Sequence, residues 1–323
     1  MKTPARAAYA LDAGGSHTVV RTRRADGGER TWDEPSCAIA SVGQEPAIRQ
    51  LRHILRSVRA ELAGASAVHG CIASSSYPVA AEAPPPEPMV RAIVGSGCTG
   101  RVVLVNDVVP LLWSDHLKGC GVIVNSGTGS AVIGRNHAGL VVKVGGHEHI
   151  LSDDGSAYSL ARASLRAAAR AADGLGAKTS LLARAEAFYG RSAPALGRWL
   201  AELDRARFQV ARFASEVIAA EEEGDVVADA IVAAEVEALG RATLVAVARL
   251  ELGESPAMGL SGGVMRGSAR FRELVSGWLS RSGLRPRTAL LNSTQAALAF
   301  ADWAGADDPE LMAEVGGLDL TVA

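Results

Sequence analysis

Three short segments of the chain carry residue types suited to handling phosphate groups. They are Leu11–Thr18, Val105–Asp107 and Val124–Ser130. The first and third each place a glycine-rich turn with hydroxyl side chains between apolar, β-branched runs. Such turns can wrap backbone N–H groups around phosphate oxygens, because glycine permits close approach and positive φ. Asp107 ends an apolar run between them and could accept a proton from a hydroxyl group. The combination predicts phosphoryl transfer.

The hydrophobic pattern predicts the elements that position these residues. In the first half of the chain, the residues around the Gly14–Gly15 turn form a hairpin, and apolar residues recur at helical spacing over 46–63. The apolar runs of this half predict strands at 7–12, 18–23, 67–75 and 101–106.

The same order of elements restarts in the second half. Strands are predicted at 121–125, 130–134, 140–144, 257–261 and 288–291, and helices over an Ala-rich stretch at about 157–252 and at 293–304. We interpret the repeated order as an internal structural duplication with a helical insertion in the second half. It predicts two α/β domains with a cleft between them.

Composition limits the possible partners. The chain has 323 residues, 48% of them hydrophobic and 21% charged, with a net charge of -2, as in an ordinary globular protein. No basic excess points to nucleic acid, and no apolar run reaches the roughly 18 residues of a membrane-spanning helix. The four cysteines are far apart without CxxC pairing, which is typical of reduced thiols in a cytoplasmic protein.

Several familiar motifs fail on their context. Gly95–Gly100 matches GxGxxG but precedes a strand, whereas a dinucleotide site needs the opposite order. Gly259–Gly263 matches the GxSxG of hydrolases, but all seven histidines lie at or before position 149. On an extended segment His147 and His149 would share one face, yet no further Cys or His lies nearby to complete a zinc site. Substrate contact or a polar wall is the preferred interpretation of this segment.

Taken in order, the motifs resemble those of the sugar kinases in the actin, sugar-kinase and heat-shock-chaperone superfamily. Within it they look most similar to N-acetylglucosamine and glucosamine kinases, which are grouped with the BadF/BadG/BcrA/BcrD-type ATPases. The matching segments are Asp12–Thr18 for the first phosphate motif, Asp107 for the catalytic Asp, Ser126–Ser130 for the second phosphate motif, Gly145–Ala157 for the sugar loop and Leu260–Val264 for the adenosine motif.

The resemblance implies a fold of two ribonuclease H-like α/β domains with an interdomain ATP cleft. We expect an N-terminal domain at 1–116, to which the C-terminal helix could return, and a C-terminal domain at 117–323 that carries the helical insertion. It also implies that Asp12 holds Mg²⁺ through water and that Asp107 is the general base. ATP would be bound by Gly14, Gly15, Ser16, Thr18, Gly127, Thr128, Gly129, Ser130, Gly262 and Gly263. The sugar would be bound by Ser74, Ser75, Asp107, Gly146, His147, Glu148 and Asp153.

The departures from the family pattern concern the sugar end. Pro35–Ala38 has Cys37 where a sugar-binding Asn is usual, and His147 and Glu148 replace a Trp-Gly pair. Asp154 stands where Glu is usual. The resemblance implies that the substrate is an amino sugar such as glucosamine or N-acetylglucosamine, or a related sugar, phosphorylated at its 6-hydroxyl, and the departures suggest a sugar other than N-acetylglucosamine. The extra carboxylate of Glu148 could favour a free amine over an acetamide.

Alternative interpretations stay open from the sequence. The chain could be an ATP-hydrolysing activator or switch that acts on a protein partner, or a regulator that has lost catalysis. Asp107 could cap the helix that Pro110 helps to start, and Asp153–Asp154 could cap the helix predicted at Ser156–Ala172. A homodimer is expected from the resemblance only.

Overall fold

The computed structural model describes residues 7–65, 68–77, 87–98, 100–203, 206–304 and 318–322. The chain divides into two units. The first comprises Met1–Cys120, His137–Val141 and Leu291–Ala323, and the second comprises Gly121–Asn136 and Val142–Leu290, as far as these residues are described. The boundary predicted between residues 116 and 117 stays a prediction.

Apolar, β-branched runs form the strands of two sheets, because such residues pack well on a pleated surface. The strands are β1 (Ala8–Ala13), β2 (His17–Arg23), β3 (Glu29–Pro35), β4 (His69–Ser74), β5 (Gly100–Asn106), β6 (Gly121–Ser126), β7 (Ser130–Arg135), β8 (Val141–Gly145), β9 (Ala257–Ser261), β10 (Arg287–Leu290) and β11 (Leu318–Val322). Strand β11 was not predicted from the sequence.

Helices occupy most of the remaining described residues. They are α1 (Ile39–Val42), α2 (Gln44–Glu61), α3 (Glu87–Val94), α4 (Val109–Leu112), α5 (Glu148–Leu151), α6 (Ala157–Ala172), α7 (Leu181–Tyr189), α8 (Ala193–Ala201), α9 (Ala206–Ala211), α10 (Ala214–Glu222), α11 (Val226–Arg249), α12 (Gly263–Gly267), α13 (Ala269–Arg281) and α14 (Ser293–Ala304). The predicted helical insertion corresponds to α6 to α11.

The two sheets repeat one topology. The first has the strand order β11-β5-β4-β1-β2-β3, and the second has the order β10-β9-β6-β7-β8. In each, a central strand (β1 or β6) pairs antiparallel with the next strand along the chain and parallel with a later one (β4 or β9). The predicted duplication is therefore present in the strand order, and β11 is an addition to the first copy.

Strand β1 is buried on both faces. Tyr9 and Leu11 point into a core that α2 covers, and Ala8 and Ala10 point into a second core that α14 covers. The alternation follows from the two-residue period of a strand. Helix α14 packs on β1 and β4, so this last helix of the described chain supports the first sheet.

The helical insertion has its own core in the second unit. Leu160 of α6, Phe213, Val217 of α10 and Val232 of α11 are almost fully buried in one apolar cluster. That cluster continues into Val122 and Val124 of β6. Burial of this apolar surface holds the insertion onto the second sheet.

A hydrogen-bonded aspartate fixes the start of α11. Asp225 Oδ1 accepts the N–H groups of Val227 and Ala228 at 2.9 and 3.1 Å, and so caps the helix. Its Oδ2 accepts from Thr179 Oγ1 at 2.8 Å and from the amide and hydroxyl of Ser180 at 2.6 and 2.7 Å. Burial alone would raise the pKa of Asp225, but these hydrogen bonds outweigh it and lower the pKa from 3.8 to about 2.

Replacing Asp225 by Ala should lower the free energy of unfolding by about 2 kcal/mol at pH 7, since a helix cap and charge-assisted hydrogen bonds are lost. The folded-state pKa is below the unfolded one, so the carboxylate stabilises the fold above about pH 4. This contribution disappears as the pH falls toward 2. In urea unfolding, the difference between wild type and Asp225→Ala should therefore shrink from pH 6 to pH 2.5.

The exposed Asp173 at the end of α6 offers the control, because Asp173→Ala removes a carboxylate that caps no helix start. An equal loss of stability for Asp225→Ala at both pH values would contradict the role given to the ionised carboxylate.

Candidate functional site

In the first unit, the polar residues of interest gather at one edge of the sheet. Ala13, Ser74 and Asn106 are register partners at the ends of the parallel strands β1, β4 and β5. Asp12 and Asp107 each lie one residue from this line. Two carboxylates and a set of hydroxyl groups therefore meet where the strands end, as in many α/β binding sites.

Asp12 has a partner that the sequence analysis missed. Ser293 Oγ, in the first turn of α14, donates a hydrogen bond to Asp12 Oδ2. Asn292 caps this helix by accepting the N–H of Gln295 at 2.9 Å. The N-terminus of a helix favours a nearby negative charge, so the start of α14 suits the carboxylate that Ser293 contacts. Asn292 could have been recognised as a helix cap, but no pattern joins positions 12 and 293.

The first glycine-rich turn lies between Ala13 and Thr18, which pair at the base of the hairpin. Ser36 Oγ donates a hydrogen bond to the carbonyl oxygen of Gly14 at 2.7 Å, which stabilises the turn. A Cβ on Gly15 would come within 3.1 Å of Ser41 Oγ. Neither Gly14 nor Gly15 has a positive φ. Of the two properties of glycine, this turn therefore uses close approach and not positive φ.

Thr18 and Cys37 are both fully buried below the turn. The amide of Cys37 donates to Thr18 Oγ1 at 3.0 Å, and that hydroxyl lies 3.4 Å from Cys37 Sγ. Burial raises the pKa of the Cys37 thiol, which keeps it protonated. Cys37 thus fills a packing position, and the phosphate contact of Thr18 stays a prediction. The other hydroxyl of this motif, Ser16, is half-buried and lies 2.8 Å from His17 Nδ1.

Two serines, the last residue of β4 and the one after it, lie beside the end of β1. Ser75 donates through its amide and its hydroxyl to the carbonyl oxygen of Ala13, at 3.1 and 3.2 Å. Ser74 is fully buried and accepts the N–H of Ser76 at 3.3 Å. Ser75 is therefore the more accessible of the two serines predicted to contact a sugar, and both roles stay predictions.

Asp107 is half-buried, directly after β5. The following helix α4 has Val108 at its N-cap position, without a side-chain cap. Asn106 Oδ1 accepts the N–H of Val108 at 3.2 Å, and Asn106 Nδ2 donates to the carbonyl of Tyr77. The interpretation of Asp107 as the helix cap is therefore wrong, because Asn106 stabilises this turn. Its role as general base stays a prediction.

In the second unit, hydrogen bonds link the second glycine-rich turn to the start of α6. The N–H of Gly127 donates to the carbonyl of Gly129 at 2.9 Å and closes the turn. The carbonyls of Gly127 and Thr128 accept the N–H groups of Ala157 and Tyr158 at 2.8 and 3.3 Å. The first N–H groups of α6 are thus used to hold the carbonyl side of the turn. As in the first turn, these glycines have no positive φ.

The serine hydroxyl groups on either side of this turn donate hydrogen bonds within the second unit. Ser126 Oγ donates to the carbonyl of Gly155 and Ser130 Oγ donates to the carbonyl of Asp154, each at 2.6 Å. These bonds attach both ends of the turn to the segment before α6. The turn therefore has a fixed shape in the second unit, and a phosphate contact by Ser130 stays a prediction.

Gly262 follows β9 and packs on the base of the same turn. Its φ is +96°, and a Cβ there would lie 2.2 Å from the carbonyl oxygen of Ser126. The neighbouring Gly263 begins α12 and comes close to Gly127. The adenosine motif and the second phosphate motif are thus adjacent within this unit, as the parallel pairing of β6 and β9 requires.

Asp153 is only 2% exposed and has a φ of +75°. Its Oδ1 accepts the N–H of Ser130 at 3.1 Å, and its Oδ2 lies 2.5 Å from Arg207 Nη2. Burial raises the pKa of Asp153, although these partners favour the charged form. The helix α6 is capped by Ser156, so the interpretation of Asp153–Asp154 as its cap is wrong. Sugar contact by Asp153 stays a prediction.

The segment after Gly146 is not extended. His147 precedes the short helix α5, which begins at Glu148. His149 packs edge-on against Tyr158 with 5.1 Å between ring centres, whereas His147 is exposed. The two histidines therefore do not form the common face of an extended strand, because the chain turns helical between them.

Arg207 is the second residue that the sequence analysis missed. It lies in α9 of the helical insertion, and its Nη1 is 2.6 Å from Glu148 Oε2 while its Nη2 contacts Asp153. No motif includes this position. Its place in the site follows only from the packing of α9 on α6.

Residues 11–285 match the BadF/BadG/BcrA/BcrD ATPase family. The chain belongs to this family. The match covers most of the chain, including all five motifs, and it confirms the family expected from their order.

A curated relative and several solved structures are also similar. An N-acetylmuramic acid/N-acetylglucosamine kinase of Clostridium acetobutylicum is 39% identical over 95 residues, which are 29% of this chain. The chain spans about 30% of the length of that curated relative in this match. A candidate N-acetylglucosamine kinase from Chromobacterium violaceum is 20% identical with a TM-score of 0.68, and covers 93% of this chain and 100% of its own.

Another candidate N-acetylglucosamine kinase, from Porphyromonas gingivalis, is 16% identical with a TM-score of 0.70, over 92% of this chain and 98% of its own. A Schistosoma mansoni hexokinase in complex with glucose is 14% identical with a TM-score of 0.57, over 93% and 85% of the two chains. These likenesses confirm the predicted two-domain α/β fold. Among the described residues, no helix has the length and apolar character needed to span a bilayer.

Replacing Gly262 by Ala should destabilise the protein by about 2–3 kcal/mol, because the new Cβ meets the Ser126 carbonyl and alanine disfavours positive φ. Thermal or urea unfolding measures this loss. Gly267→Ala is the matched control in α12, since a Cβ there meets no atom within 4 Å. Equal stabilities of the two variants would contradict the close packing of Gly262 on the turn.

Proposed function

We propose that the chain is an ATP-dependent sugar kinase that transfers the γ-phosphate of ATP to the 6-hydroxyl of an amino sugar or a related sugar. The observation that supports it most is the edge of the first sheet, where Asp12, Ser75 and Asp107 gather at the ends of three parallel strands. The sugar kinases named among the similar proteins agree with it.

Asp107 would act as the general base. Its carboxylate lies at the end of β5 and is half-buried, where it can reach a substrate. By accepting the proton of the attacking hydroxyl, it would increase the nucleophilicity of that oxygen. The rest of phosphoryl transfer needs positioning and charge neutralisation more than covalent chemistry.

Asp12 would hold Mg²⁺. The half-buried carboxylate, oriented by Ser293, suits this ion, which prefers oxygen ligands and keeps several waters beside one or two carboxylates. When bound, the ion would neutralise charge on the β- and γ-phosphates. Asp12, oriented by Ser293, would determine where the ion is held.

Each unit would supply one phosphate-binding turn. Backbone N–H groups around Gly14, Gly15 and Ser16 would serve in the first unit. Those of Thr128 and Gly129 would serve in the second, where the Ser130 N–H already donates to Asp153 Oδ1. Gly262 and Gly263 would allow the ribose and adenine to approach the backbone. In the second turn, the carbonyl groups of Gly127 and Thr128 are held by hydrogen bonds from α6. These bonds fix the backbone of the turn and so also the directions of its N–H groups, which supports this proposal.

Sugar recognition would use Ser75, Gly146, His147 and Glu148, whereas the buried Asp153 would act from behind this segment through Arg207. Glu148 is ion-paired with Arg207, which offsets its charge. The expected preference for a free amine therefore loses its support, and glucosamine and N-acetylglucosamine are both candidate substrates. A cytoplasmic location and a homodimer stay predictions.

Asp107→Asn should lower turnover by ~10²–10⁴ and leave the fold intact, since the amide cannot accept the hydroxyl proton. Steady-state kinetics with ATP and the preferred sugar measure the effect. The exposed Asp115→Asn is the control, because it removes a nearby carboxylate outside the proposed site. If Asp107→Asn kept near-normal turnover, the assignment of Asp107 as base would have to be abandoned.

Ser293→Ala should raise the Mg²⁺ concentration needed for half-maximal activity by about 3–10-fold, since Asp12 loses the hydroxyl that orients it. A Mg²⁺ titration at fixed ATP measures this shift. Ser282→Ala, at an exposed serine after α13, is the control. An unchanged Mg²⁺ dependence in Ser293→Ala would contradict the link between α14 and the metal.

A further inference from the structure

The second phosphate turn has a buried negative charge beneath it. Asp153 Oδ1 accepts the N–H of Ser130, and the carboxylate is almost completely removed from solvent. A Cβ on Gly129 would come within 2.9 Å of both carboxylate oxygens. The charge of Asp153 thus lies directly against a turn that is proposed to bind phosphates, and like charges repel strongly where water is excluded.

Arg207 places a positive charge at the same point. Its Nη2 lies 2.5 Å from Asp153 Oδ2, and the same nitrogen would be 2.6 Å from a Cβ on Gly129. At Gly129 the turn therefore lies against both charges. The absence of a side chain there allows the guanidinium and the carboxylate to pair beneath the turn.

The other terminal nitrogen of Arg207 contacts Glu148, which is one of the residues proposed to bind the sugar. Nη1 lies 2.6 Å from Oε2 of Glu148, a residue whose side chain is 61% exposed. Glu148 and Asp153 have φ values of +65° and +75°, which non-glycine residues adopt only where other contacts stabilise them. Arg207 contacts both strained residues. It therefore joins the segment around Glu148 to the base of the phosphate turn.

We propose that Arg207 is a positioning residue for the nucleotide, which balances the charge of Asp153 so that the turn at Ser126–Ser130 can accept the phosphates of ATP. This inference rests on the proposed function. It assigns a role in nucleotide binding to the helical insertion, outside all five motifs. The guanidinium acts through Asp153 and the turn.

The test is the dissociation constant for ATP with Mg²⁺ and without sugar, measured by titration calorimetry. Arg207→Met should weaken ATP binding at least tenfold, because it leaves the Asp153 carboxylate uncompensated. Adenosine binding should change less than threefold, since adenosine has no phosphates. Arg198→Met, at an exposed arginine of α8, is the matched control and should bind ATP like the wild type.

The double variant Arg207→Met with Asp153→Asn separates charge balance from packing. Asparagine keeps the oxygen that accepts the Ser130 N–H, and it tolerates positive φ. We expect the double variant to bind ATP within about threefold of the wild type. Rescue of this kind would not follow from a merely structural role.

Three results would count against the inference. They are unchanged ATP binding in Arg207→Met, an equal loss of ATP and adenosine, and weak ATP binding in the double variant. The last applies even if Arg207→Met is too unstable to measure. If the wild type binds no ATP at all, both the proposed function and the inference about Arg207 are wrong. This outcome can be told apart from the other three, because it is seen in the wild type before any substitution is made.

Discussion

The structure depends on how its two central strands are paired. Strand β1 pairs antiparallel with β2 on one side and parallel with β4 on the other, and β6 does the same with β7 and β9. Antiparallel pairing puts a hairpin turn at the end of the central strand. Parallel pairing brings the end of the later strand to the same edge. The strand pairing alone therefore places each glycine-rich turn beside the loop that follows the later strand.

The two copies carry different residues at the corresponding edges of their sheets. At the first edge, Asp12 and Asp107 supply carboxylates, and Ser293 of α14 fixes one of them. At the second edge, Gly262 occupies the place beside the turn that Ser74 holds in the first. This difference follows the proposed division of work: base and metal in the first unit, nucleotide in the second. The ion pair between the buried Asp153 and the half-buried Arg207 lies at this second edge.

Much of the fold could be predicted from the sequence, because hairpins and amphipathic helices have short-range patterns. Strand β11 was missed because its partner β5 is about two hundred residues away along the chain. The helix at Glu148 was missed because its four residues are too few to show a helical period. Burial of Thr18 and Asp153 depends on packing that no motif encodes. Ser293 and Arg207 reach the site from helices outside the motifs, so only the tertiary contacts reveal them.

The central claim is phosphoryl transfer from ATP to a sugar. The direct measurement incubates the protein with ATP, Mg²⁺ and each of glucosamine, N-acetylglucosamine, muramic acid and glucose, and quantifies ADP and sugar phosphate by mass spectrometry. The account predicts one sugar phosphate formed in equal amount to ADP. ADP that accumulates without any phosphorylated sugar would contradict it and would favour an ATP-hydrolysing switch that acts on a protein partner.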